Sequence, residues 1–261
     1  MPRIYCDQAL HNGVQLTLSR EASRHVQVLR MQPGQTVQLF DGRGGEYEAA
    51  IVQMGRQSVD VAVGEHHNIE REANRAVHLA VCMPANERMD WLVEKAVELG
   101  VASITPLMSQ RSVVKLSGER ALKKQQHWQA IAVAACEQCG RNLVPHIALP
   151  QALNTWLGAW SDAQTQTQAQ APTQTGPRTG TEPALPAQRF VLSLQTSPTT
   201  APASQHITSA QAPVWVLNGP EGGLSEQEEA QAIAAGWLPL SLGTRVLRAE
   251  TAALAALVQL A

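Results

Sequence analysis

The sequence predicts an α/β chain: a mostly parallel sheet alternating with helices, preceded by a small β-barrel. Three observations predict it. Residues 1–70 hold several short strand-like runs separated by turn residues, the texture of a small barrel. From Ala76 to Met83 the chain becomes continuously apolar, as in a strand covered on both faces of a parallel sheet. Beyond it, apolar runs and helical periodicities take turns, the pattern of successive β–α–β units.

The elements follow in order. Ser23 to Met31 has helical spacing and stops before Pro33-Gly34, and Thr36-Val-Gln-Leu-Phe40 alternates before the turn Asp41-Gly-Arg-Gly-Gly45. Glu46–Val52 and Ser58–Val63 are two further strands around Gly55. Residues 64–75 turn polar and are expected to be a linker, placing a first domain over 1–72 and a second over 73–261. In the second, Asn86 is expected to cap a helix whose inner face is Met89, Leu92, Val93, Ala96 and Val97, and Gly100 to end it. A strand over Val101–Leu107, a long helix over Glu119–Cys139 and a strand over Leu143–Ile147 come next. Residues 161–188 are rich in Gln, Thr, Ala and Pro and bury too little apolar surface to offset the entropy of ordering, so a disordered insertion is expected there. Order is expected to resume at Arg189.

Composition sets bounds. The 261 residues are 44% hydrophobic and 16% charged, enough for one large or two modest cores, and with only 4% aromatics those cores must be mainly aliphatic. A net charge of −2 lacks the excess typical of nucleic-acid binders, so any phosphate contact must come from a local basic face. Four cysteines, no secretory signal pattern and no apolar run of membrane-spanning length point to a reducing cytoplasm and no membrane. Cys136 and Cys139 have the spacing of a zinc or redox pair, but no second pair or nearby His pair supplies further ligands. They are taken as helix residues near the active site or a subunit interface, with no metal. The six tryptophans are expected to pack rather than stack on bases.

Two C-terminal motifs carry the chemistry. In Val214-Trp-Val-Leu-Asn-Gly-Pro-Glu-Gly-Gly-Leu-Ser225 an apolar strand runs into a glycine-rich turn, and Ser225 with Glu228 forms a capping box that opens a helix. Glycines at the carboxyl end of a parallel strand let the backbone approach a ligand, although a plain strand-to-helix turn would read alike. In Leu240-Ser-Leu-Gly-Thr-Arg-Val-Leu-Arg-Ala-Glu-Thr-Ala253 a second strand end leads through two arginines to Glu250-Thr251 and an Ala/Leu-rich helix.

Asn218-Gly-Pro-Glu-Gly-Gly223 together with Leu242-Gly-Thr-Arg-Val-Leu-Arg-Ala-Glu-Thr251 resembles the cofactor loops of the ribosomal RNA small subunit methyltransferase E family. His25 to Phe40, Glu94-Lys95 with Glu98-Leu-Gly100, Ile104-Thr-Pro-Leu107 and Ala134-Ala-Cys-Glu-Gln-Cys-Gly-Arg141 agree with it, so the resemblance spans nearly the whole chain except 151–188. It implies a PUA-like β-barrel that binds RNA, followed by a SPOUT-type domain with a C-terminal trefoil knot. It also implies a homodimer and S-adenosyl-L-methionine (SAM) as methyl donor to uridine N3 in 16S rRNA, free or in the assembled small subunit.

On that resemblance, the cofactor contacts are expected from Leu192, Leu194, Leu217, Asn218, Gly219, Pro220, Glu221, Gly222, Gly223, Leu242, Gly243, Val246, Leu247, Arg248 and Thr251. Asn218 stands where an apolar residue is expected, and it can form a hydrogen bond there. Uridine N3 must lose its proton to attack. Arg245 and Arg248 are the candidates to stabilise the developing O4/O2 charge; Glu250 or Glu221 is a base or orients an arginine or the cofactor amine. RNA contacts are expected from Arg24, His25, Arg30 and Arg43 in the first domain and Arg111, Lys115 and Arg141 in the second. Rival readings are a SPOUT enzyme for another rRNA or tRNA site, a non-catalytic assembly factor and a phosphate-binding nucleotide protein. The intact arginines and glutamate speak against the second of these, and the lack of a dinucleotide or P-loop pattern against the third.

Overall fold

The computed structural model describes residues 1–85, 87–166, 187–193 and 211–261. Asn86, Leu194 and most of the expected insertion lie outside the described residues. The chain divides into two compact units, Met1–Glu72 with Ala132–Val144, and Ala73–Ile131 with Pro145–Ala261.

The first unit is built on a five-stranded sheet of β1 (Arg3–Tyr5), β2 (Gln15–Thr17), β3 (Thr36–Phe40), β4 (Glu46–Met54) and β5 (Val59–His67), in the order β1-β3-β4-β5-β2. β1 runs parallel to β3 and the other pairs are antiparallel. The alternation in sequence becomes the two faces of the strands: Val37 and Leu39, Ile51, and Val59, Val61 and Val63 point into one core with Ile4 and Val26. The helix α1 (Arg20–Val28) begins and ends earlier than spacing suggested. Ser19 caps it by accepting from the Ala22 amide at 3.2 Å, and Arg30, with φ of 56°, turns the chain out of the helix.

The expected linker from residue 64 is a strand as far as His67, because Tyr47 pairs with His66 and Glu46 with His67 through backbone groups that need no apolar side chains. Beyond it, ionic contacts tie residues 69–72 and 140–142 to the strands. Glu46, 2% exposed, accepts from Arg3 at 2.6 Å and from Arg71 at 3.0 Å, and Arg3 reaches the Asn142 side chain at 2.7 Å.

The second unit is a parallel sheet in the order β12-β10-β11-β6-β7-β8, with a short β9 also paired to β7. Its strands are β6 (Val77–Cys82), β7 (Ser103–Met108), β8 (His146–Ile147), β9 (Gln151–Ala152), β10 (Gln188–Leu192), β11 (Val214–Asn218) and β12 (Leu238–Leu240). The helices are α2 (Arg88–Glu98), α3 (Gly118–Cys139), α4 (Leu153–Gln166), α5 (Glu226–Ala234) and α6 (Ala249–Leu260); the last turns of α3, from Ala132, belong to the first unit.

The buried face of α2 is the one the periodicity predicts, and Gly100, with φ of 90°, ends it. Helix α4 continues to Gln166, into the Gln- and Thr-rich stretch. Trp156, Trp160, Trp215 and Trp237 pack in tilted and edge-to-face pairs with centroids 5.2 to 6.0 Å apart, while Trp91 is 46% exposed. From β12 at the sheet edge the chain returns to pack α6 against α2, β6 and β11. All strands being parallel, the carboxyl ends of β6, β7, β10, β11 and β12 share one edge. No helix among the described residues is long and apolar enough to cross a membrane.

Candidate active site

Both motif loops leave that edge. The first is a tight turn: the Gly223 amide donates to the Pro220 carbonyl at 2.8 Å, and Gly223 has φ of 69°. A Cβ on Gly219 would lie 2.9 Å from the Leu224 amide and 3.0 Å from the Gly223 carbonyl carbon, so no side chain fits there. The turn runs into α5 through the predicted capping box, in which Glu228 also accepts from the Gln110 amide at 2.7 Å. Arg111 grips the turn from outside, donating to the carbonyls of Gly222 at 2.8 Å and Leu224 at 3.2 Å.

The second loop, 241–248, is open to solvent except at Ser241, Leu242 and Leu247, which are half-buried. Gly243 has φ of 112°, and Val246 is 78% exposed, so its side chain is no part of the core. Arg245 and Arg248 are exposed, the latter as the extended residue ahead of α6. Glu250 lies in the first turn of α6 and is only 6% exposed. Its Oε2 is buried with no hydrogen-bond partner, and its Oε1 stands 3.9 Å from Arg88 Nε.

The two loops meet. Asn218 Nδ2 donates to the Ala249 carbonyl at 2.8 Å, which uses the hydrogen-bonding capacity that set this residue apart in the sequence. Leu192 ends β10, the strand between β11 and β12, and is half-buried. Leu217 is fully buried in the core, which leaves only its backbone for a ligand, and Thr251 is exposed. Leu194 is outside the described residues. A buried carboxylate oxygen without a donor, a turn too tight for any Cβ and a short apolar lip at Val246 and Leu247 suit a ligand that brings N–H donors and an apolar body.

The expected RNA residues fare unequally. Arg24, Arg30 and Arg43 are exposed in the first unit. His25 is partly exposed, with Nδ1 3.5 Å from Glu137. In the second unit, Arg111 is committed to the turn carbonyls, and Lys115 donates to the Ser109 carbonyl at 2.5 Å. Arg141 groups with the first unit, and at 4% exposure its guanidinium is forked onto Glu72, so its charge is engaged within the protein.

Sequence reasoning missed Arg88, whose Nη1 donates to Glu221 at 3.0 Å. A signal was there, because a cation in the first turn of a helix opposes the helix dipole and needs a separate reason.

A family model described as an RNA methyltransferase domain matches residues 71–261, and one described as an RNA methyltransferase PUA domain matches residues 18–64. Fold and site thus define an RNA methyltransferase with a PUA domain. Ribosomal RNA small subunit methyltransferase E of Bacillus subtilis is 29% identical over 96% of this chain and 91% of its own length. That of Buchnera aphidicola (from Schizaphis graminum) is 28% identical over 100% and 95%. The crystal structure of the enzyme of this name from Neisseria gonorrhoeae, bound to S-adenosyl methionine, is 32% identical over 99% of this chain and 96% of that one, with a TM-score of 0.82. A Legionella pneumophila protein in complex with SAM is 35% identical over 99% and 96%, also at 0.82. The chain belongs to the ribosomal RNA small subunit methyltransferase E family.

Proposed function

We propose that this chain transfers a methyl group from SAM to N3 of a specific uridine in the 16S rRNA of the small ribosomal subunit. The observation that carries the reading is the joining of the two motif loops, Asn218 to Ala249, beside the unpartnered oxygen of Glu250.

SAM would be held by the turn 217–223, by Leu192 and by the loop 242–251. It supplies a methyl group already activated on a sulfonium, so the protein's task is largely alignment. Arg245 and Arg248 face solvent at the mouth, where a base must enter, and their charge stabilises the negative charge that develops on O4 and O2 as N3 loses its proton. Of the two carboxylates, Glu250 is the proton acceptor. Glu221 is already engaged by the Ala85 amide at 2.9 Å and by Arg88, whereas Glu250 keeps one oxygen unpaired.

The layout follows the same reading. Residues 1–72 are a PUA-like barrel that meets RNA through Arg24, His25, Arg30 and Arg43, and residues 73–261 are the methyltransferase domain. The return of the chain from β12 to α6 is the passage that forms the trefoil knot. The protein is a homodimer, in which a second subunit covers exposed apolar groups such as Val246, Trp91 on α2 and Val258 on α6. Work on ribosomal subunits puts it in the cytoplasm.

Incubating the purified protein with methyl-labelled SAM and either free 16S rRNA or small subunits tests the assignment. Label in N3-methyluridine is the expected result. No label in either substrate would refute the reading.

A further inference from the structure

Glu221 projects from the glycine-rich turn to the start of α2. There its Oε1 accepts from two donors at once, the Ala85 amide at 2.9 Å and Arg88 Nη1 at 3.0 Å. Helix α2 has no side-chain hydrogen bond from its own cap residue, Glu87. The carboxylate at this helix end is therefore supplied by a loop more than a hundred residues later in the chain. The electrostatics are consistent: a carboxylate is favoured at a helix N-terminus, whereas Arg88, the first residue of α2, is disfavoured there unless anions face it. Two do, since Glu250 Oε1 lies 3.9 Å from Arg88 Nε. The arginine side chain is 39% exposed, so the pairing is of the half-solvated kind whose main effect is geometric rather than a large gain in stability.

We propose that Arg88 is a positioning residue for the methyl donor: it fixes Glu221, and through Glu221 the turn 219–223, in the conformation that binds SAM. The inference rests on the reading above that this turn holds the donor. Arg88 itself belongs to neither motif loop. It touches the first through Glu221 and the second through Glu250, so it ties the two halves of the pocket to α2.

A double-mutant cycle on the full-length protein tests this, with SAM affinity read by calorimetry and Tm measured on each variant. Arg88→Met is expected to weaken SAM binding by roughly tenfold while Tm moves little. Arg88→Lys keeps one donor for Glu221 and should recover most of that loss, which a purely volume-filling role would not. Glu221→Gln should weaken binding to a similar degree, and the double variant Arg88→Met with Glu221→Gln should be no weaker than either single one.

Undiminished binding by Arg88→Met overturns the inference, as do losses that multiply in the double variant. A Glu221→Gln variant that binds normally while Arg88→Met does not would mean that the arginine acts by a route other than Glu221, which also overturns the proposed role. Gly219→Ala serves as the separate control for the underlying reading. If it leaves SAM binding intact, the turn is not the donor site and both ideas fall; if it abolishes binding while Arg88→Met does not weaken it, only the inference falls.

Discussion

The side-chain amide of Asn218, the last residue of β11, donates to the carbonyl of Ala249, the first residue of α6, across a distance of 2.8 Å. Asn218 is 4% exposed, so this bond is made away from water and fixes where the second loop ends relative to the first.

Replacing Asn218 with Ala removes a buried hydrogen bond and leaves a small void. The expected cost is about 1–3 kcal/mol of stability, with weaker SAM binding in parallel. Denaturant unfolding and calorimetry on the same preparation check both. An unchanged SAM affinity would show that the two loops need no such fastening.

Arg245→Ala and Arg248→Ala should act on rate rather than on folding, because both side chains are exposed in the second loop. A loss of a charge-stabilising group of this kind lowers kcat by roughly 100-fold or more. Single-turnover methylation at saturating SAM is the measurement, and a change confined to the KM for RNA would reassign the arginine to substrate binding.

Glu46 ties the first unit together, and its titration should be visible in stability. Burial pushes its carboxyl pKa up, but the hydrogen bonds from Arg71 and Arg3 outweigh this and hold it below the ordinary glutamate value. A group with a depressed folded pKa contributes stability at neutral pH. That contribution fades as pH falls from about 4.3, the unfolded value, through the lower folded one. The protection factors of the β4 amides, taken against the intrinsic exchange rate at each pH, should therefore fall on acidification below about pH 4.3. Glu46→Gln should flatten this dependence and cost roughly 3 kcal/mol at pH 7, since it leaves the Arg3 side chain, 10% exposed, without its anion.

The basic residues of the first unit should separate by exposure. Arg24→Ala and Arg30→Ala each remove a solvent-facing charge and should lower RNA affinity and reduce its salt dependence by about one counterion per residue. Arg141→Ala should instead destabilise the protein, because its guanidinium is forked onto Glu72 at 4% exposure. Filter binding across a salt series, set beside Tm, distinguishes the two outcomes.

Much of this was legible in the residues. The parallel sheet followed from continuous apolar runs such as Val77–Cys82, and the turn after β11 from its glycines and the Ser225–Glu228 box, because both signals are local in sequence. What escaped depended on contacts between distant segments. β1 and β2 have only three residues each, too short for an alternation to show. The last residues of β5, Gly64 to His67, carry no apolar signal because backbone pairing, not side-chain burial, sustains them. The grouping of 132–144 with the first unit, where Arg141 pairs with Glu72, joins segments far apart in the chain, which no spacing rule predicts. Arg88 escaped because its partners, Glu221 and Glu250, come together only in the folded chain.

Mass spectrometry of 16S rRNA from cells with and without this gene tests the central claim most directly. The geometry of the joined loops, with Arg248 and Glu250 at their meeting point, predicts that N3-methyluridine is present at one position when the gene is intact, disappears when it is deleted, and returns with the unaltered gene but not with one encoding Arg248→Ala. An rRNA modification map identical in both strains would contradict the account.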